Sequence, residues 1–139
     1  MENPVIPTLQ ETFDKVATHL LTQDEQSMDA GGGCQYRYHG LACAVGCLIP
    51  DQVYEKYAVD EEEGNGDNAL ENNSIEEANV KEALIASNAI EPDNEYYIDL
   101  LAALQRMHDT CHPNSWRNLL IDIALTRGLS AEVPIHFQT

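Results

Sequence analysis

Three of the four cysteines, Cys34, Cys43 and Cys47, fall in one short stretch with His39 between them. Thiolate and imidazole together suit a structural zinc ion. Eight residues separate the first two cysteines and three the second pair, without the paired Cys-x-x-Cys knuckles of a zinc module. Cys43 and Cys47 lie at i, i+4 within the small and apolar run from Ala42 to Ile49, where cysteine also serves as a compact core residue. Core packing is the better reading. A zinc-stabilised module around Cys34, His39, Cys43 and Cys47 is the alternative, and no cofactor is expected.

Cys111 and His112 are adjacent, with His108 one helical turn earlier. A cysteine beside an imidazole could act as a nucleophile, but catalysis also needs an orienting group and a pocket. His108 ends an apolar stripe, where a hydrogen-bonded core or boundary histidine is the commoner case. A Cys/His enzyme using Cys111 is a second alternative, and the expectation is a protein without catalytic residues. Gly31-Gly32-Gly33 precedes no phosphate-binding lysine and reads as a hinge. Asp60 to Glu71 lacks the ligand order of a calcium loop.

Carboxylates dominate the chain. It carries 24 Asp and Glu against 7 Lys and Arg, a formal net charge of −17. From Asp51 to Asp99 fifteen acids face only Lys56 and Lys81, so −13 of that charge is concentrated in the middle. Direct contact with nucleic acid or an anionic membrane is disfavoured, because both are bound through Lys and Arg. A protein with a basic surface is the natural partner. Carboxylates on a rigid helical face can imitate the phosphates of duplex DNA and fill a basic groove. The residues expected to do so are Glu76, Glu77, Glu82, Glu91, Asp93, Glu95 and Asp99, with Glu61, Glu62 and Glu63 as a mobile supplement. The bland reading is a solvated surface that maintains solubility.

These residues need a scaffold. The chain's 139 residues, 43% hydrophobic, suit one domain with its own core. No apolar run is long enough to cross a bilayer and the N-terminus has no signal-peptide pattern, so a cytoplasmic setting is expected. Residues 1–7 read as an extended lead-in. Thr8 and Glu11 form a capping box that opens a helix to about Gln23. Gln35 to Cys43 reads as two short strands joined at His39-Gly40, giving a small hairpin near residues 34–43. Gly46 suggests a close backbone approach. Pro50 opens a further helix with Val53, Tyr54 and Tyr57 inward.

An acidic loop spans 58–73, and Ser74 with Glu77 caps a helix ending near Ser87-Asn88. Glu91-Pro92-Asp93 begins the next helix, whose inner stripe is Tyr97, Leu100, Leu101, Leu104, Met107 and His108. His112-Pro113-Asn114 breaks it. A last helix presents Trp116, Leu119, Leu120 and Ile123 and stops at Gly128. The tail from Val133 is extended. The fold class is mainly α: one domain of four to five helices and a small hairpin, of undetermined oligomeric state.

Cys34-x-Tyr-Arg, Gly40-Leu-x-Cys43-Ala-Val-Gly-Cys47-Leu-Ile-Pro-Asp51 and, later, Leu104-Gln-x-x-His108-Asp109 with Trp116 resemble an uncharacterised family of small bacteriophage and prophage proteins. The resemblance covers 8–57 and 100–129, and the middle is longer and more acidic than that pattern. It implies a phage setting, in the host cell cytoplasm, and a helical scaffold around the cysteine motif. It supplies no catalytic residues. By analogy it points to an inhibitor of a host or defence protein.

Overall fold

The computed structural model describes residues 6–28, 35–38, 40–58 and 78–132. Five helices and one hairpin occur among them. They are α1 (Leu9–Gln23), β1 (Arg37–Tyr38), β2 (Leu41–Ala42), α2 (Asp51–Ala58), α3 (Ala78–Ala86), α4 (Glu95–Thr110) and α5 (Pro113–Thr126), with a 3-10 turn at Gly46–Leu48. The architecture is mainly α, as the periodicity predicts. Of the expected loop at 58–73, Ala58 instead ends α2 and the rest lies outside the described residues, as do the cap at Ser74 and Glu77, the glycine hinge, the tail from Val133, Cys34 and His39.

Helix α1 starts where the sequence demands. Thr8 Oγ1 accepts from the Glu11 N–H at 3.1 Å, and Glu11 Oε1 accepts from the Thr8 N–H at 2.9 Å, so two otherwise unpaired donors are satisfied. The helix ends at Asp24, whose φ of 54° turns the chain away. Phe13, Val16, Ala17 and Leu20 are buried along one stripe.

Helix α4 packs against both α1 and α5, which also pack against each other. Its buried residues are the six of the predicted stripe, Tyr97 to His108. Its start differs from the expected Glu91-Pro92-Asp93. Those residues form a turn in which the Asn94 N–H donates to the Glu91 carbonyl. Asn94, with extended backbone, then accepts from the Tyr96 N–H at 2.9 Å and caps the helix, so the helix opens at Glu95. The carboxamide that reaches a helical donor sets the boundary, and the proline lies upstream of it.

The α4–α5 junction is equally local. His112 accepts from the Asn114 N–H through Nδ1 at 3.1 Å, and Pro113 occupies the first helical position. Helices α3 and α5 end alike. Asn88 (φ 55°) and Gly128 (φ 70°) take the left-handed conformation. The next residues, Ala89 and Leu129, donate back to Leu84 and Ala124.

The hairpin pairs Arg37 with Ala42 and Tyr38 with Leu41, with Gly40 at φ 84° in the connection. It is shorter than the expected strands because the chain turns at Cys43, where the Cys47 N–H donates to the Cys43 carbonyl. Gln23 of α1 brackets β2 by donating to the Ala42 carbonyl and accepting from its N–H. Arg37 ties the hairpin to α2 by donating to Asp51 and to the Ile49 carbonyl, and its guanidinium lies 4.8 Å from the Tyr54 ring centroid. Cys43, Ala44, Val45, Leu48 and Ile49 are buried in the same core as Leu104, Trp116 and Leu120. No described helix is long and apolar enough to cross a membrane.

Candidate partner-binding face

Five of the ten acidic residues singled out from the sequence are described, and four of them gather. Glu91, Asp93, Glu95 and Asp99 line one open groove of about 810 Å3 at the N-terminus of α4, together with Pro92, Asn94 and Tyr96. All four carboxylates are exposed. The 91–94 turn folds Glu91 and Asp93 back towards the first turn of α4, which carries Glu95 and, one turn on, Asp99. Glu82 is exposed on α3 and is not part of this groove. Glu61, Glu62, Glu63, Glu76 and Glu77 lie outside the described residues.

The face is strongly negative and partly pre-ordered. Glu91 accepts from the Asn94 side chain at 3.0 Å, and Asp99 accepts from Arg127 Nε at 2.8 Å across to α5. The positive end of the helix dipole stabilises carboxylates here without neutralising them. Beneath the face, Tyr97 turns its hydroxyl inward and donates to the Pro7 carbonyl at 2.6 Å. Burial, with the nearby carboxylates of Glu91 and Glu11, pushes its phenol up.

Tyr96 is the residue that charge alone does not reveal. It is 72% exposed, one of two large hydrophobic side chains so exposed among the described residues, and it stands amid the carboxylates. The signal was in the spacing. Tyr97, Leu100, Leu101 and Leu104 define the inner stripe, and Tyr96 falls off it by about 100°.

Of the cysteine constellation, Cys43 and Cys47 are described, and both pack against the core. Cys43 is fully buried and its sulfur accepts from the Gly46 N–H at 3.2 Å. Cys47 is half-buried and its thiol donates to the Ala44 carbonyl at 3.2 Å. Burial pushes the Cys43 thiol well up, against the hydrogen bond from Gly46 that lowers it. Burial likewise pushes Cys47 up to about 12, opposed in part by Lys15. Both sulfurs are therefore neutral thiols engaged with their own turn. Among the described residues no three His, Cys, Asp or Glu side chains are grouped to hold a metal ion.

The Cys111 constellation has its imidazoles committed elsewhere. His108 is fully buried, its Nε2 accepts from the Ser27 N–H at 2.9 Å, and its Nδ1 donates to Asp109 at 2.7 Å. His112 spends Nδ1 on the α5 cap. A neutral imidazole has one acceptor nitrogen, so neither ring is set to take the Cys111 proton. Trp116 donates from Nε1 to the Cys111 carbonyl at 3.1 Å and is wholly buried.

Among known proteins, no family model, no curated sequence and no solved structure matches this chain.

Proposed function

We propose that this protein is a stoichiometric inhibitor that binds a host or defence protein and occupies its basic nucleic-acid groove in place of DNA. The observation that carries this reading is the groove at the head of α4, where four exposed carboxylates surround an exposed tyrosine in a chain of net charge −17. A groove built for phosphates presents Lys and Arg, and a negative face meets it with complementary potential. Hydrogen bonds from Asn94 to Glu91 and from Arg127 to Asp99 order two of the carboxylates in advance, which lowers the entropy lost on binding. Tyr96 supplies a rigid aromatic anchor of the kind that concentrates binding energy, and its ring can stack beneath an arginine. The resemblance of the cysteine motif to small phage proteins adds the expected setting.

The test is a pull-down from bacterial lysate on the immobilised protein, followed by competition with duplex DNA. The expected result is a nucleic-acid-binding protein that elutes with salt and is displaced by the duplex. Capture of a partner that neither salt nor duplex DNA removes would sink the mimicry.

A further inference from the structure

Residues 24–28 cross the C-terminal end of α4 and are nailed down at Ser27. The Ser27 N–H donates to His108 Nε2 at 2.9 Å, and the Ser27 carbonyl accepts from the Gln35 N–H at 2.8 Å. Beside it, Gln26 donates to the His108 carbonyl at 2.7 Å. Ser27 thus links His108 of α4 to Gln35, just before β1.

A backbone N–H can only donate. His108 Nε2 must therefore be unprotonated in this arrangement, and the proton sits on Nδ1, where it reaches Asp109. If the ring takes a second proton, two donors face each other across a buried contact. Among the described residues, few charged or titratable groups face the ring. Asp109 on α4 faces Nδ1, and the Cys43 thiol of the cysteine motif lies in the field of the same carboxylate. Helix α5 presents the neutral indole of Trp116, stacked at 5.7 Å between centroids. The crossing segment presents the Ser27 amide, while its acids Asp24 and Glu25 are exposed.

We infer that His108 is a pH-sensitive latch on Ser27: protonation of Nε2 releases the Ser27 backbone, and with it the Gln35 contact, while Gln26 keeps its ties to the His108 and Cys111 carbonyls and the helical core stays folded. The asymmetry of partners makes this local. An imidazolium keeps Asp109 as counter-charge and gains attraction to the Trp116 face. Only the Ser27 N–H is orphaned. The Ser27 hydroxyl oxygen is itself buried without a hydrogen-bond partner, so the segment has no second polar tie at that residue to α4. This inference is independent of the acidic face.

The experiment is amide hydrogen exchange by NMR on the whole protein from about pH 8 to about pH 5, with His108 ring nitrogens followed in the same samples. Relative to the intrinsic rate at each pH, Ser27 and Gln35 are expected to lose about tenfold or more of their protection as the ring titrates. Leu101 and Leu104 are expected to keep theirs. Asp109→Asn removes the counter-charge, so it should move the midpoint to lower pH. Flat Ser27 protection through the ring titration overturns the latch. So does simultaneous loss at Leu101 and Leu104, which is global unfolding, and so does an unchanged midpoint in Asp109→Asn.

Discussion

A carbon added to Gly46 would lie 2.0 Å from the carbonyl oxygen of Tyr36, which makes the contact between the 3-10 turn and the entry to β1 a backbone-on-backbone approach. Both residues are buried, and the turn carries Cys47 and follows the buried Cys43. No rotamer change can relieve the clash, because the obstacle is backbone. Gly46→Ala should therefore destabilise by about 2–3 kcal/mol, read as a drop in the urea midpoint. A variant as stable as the parent would show that the approach is not native.

Gln105 is the polar hinge between the cysteine motif and α4. Its Oε1 accepts from the Val45 N–H at 3.1 Å, and its Nε2 donates to Asp109 at 2.7 Å. Gln105→Leu keeps most of the bulk and leaves the Val45 N–H without this acceptor. The expected cost is about 1–3 kcal/mol in equilibrium unfolding. Gln105→Glu retains an acceptor for Val45 but loses the donor and places a second carboxylate beside Asp109, so it should also destabilise.

The raised Cys47 thiol has a signed consequence. In the unfolded chain a thiol loses its proton near its ordinary value of 9.0, whereas in the fold it holds it up to about 12. Between those values the native state binds more protons than the unfolded state, so stability falls as pH rises. Cys43, raised in the same direction, adds to the slope. Chemical unfolding across this range should show the fall, and Cys47→Ala should flatten part of it. For the same reason both thiols should resist alkylation in the native protein near neutral pH.

Reversing charge on the face tests the proposed function directly. Asp93 and Glu95 are exposed and line the groove. Replacing both by Lys should cost the fold only about 0.3–1 kcal/mol each through the helix dipole. Binding to a basic partner should weaken by about tenfold or more, with a shallower salt dependence. Undiminished binding by a folded double variant would count against the mimicry. Tyr96→Ala should leave the melting temperature unchanged and weaken binding by about 1 kcal/mol or more.

Much of the scaffold was determined by the sequence itself. The Thr8–Glu11 capping box, the stripe from Tyr97 to His108 and the stop at Gly128 are set by neighbours within a few residues, so local spacing suffices to read them. The hairpin followed from a two-residue connection bearing glycine. The true start of α4 was harder, because Pro92, Asp93 and Asn94 all carry start signals and only the geometry shows which side chain reaches a helical N–H.

What tertiary structure decided concerns pairs far apart in the chain. Ser27 and His108 are separated by 81 positions, and no periodicity announces that a backbone N–H will select the tautomer of a buried ring. The grouping of Glu91, Asp93, Glu95 and Asp99 around Tyr96 likewise depends on how the 91–94 turn folds back on α4. Composition determined that the protein would be acidic. Which carboxylates share a face is a matter of three-dimensional placement, because charge density along a chain does not specify direction.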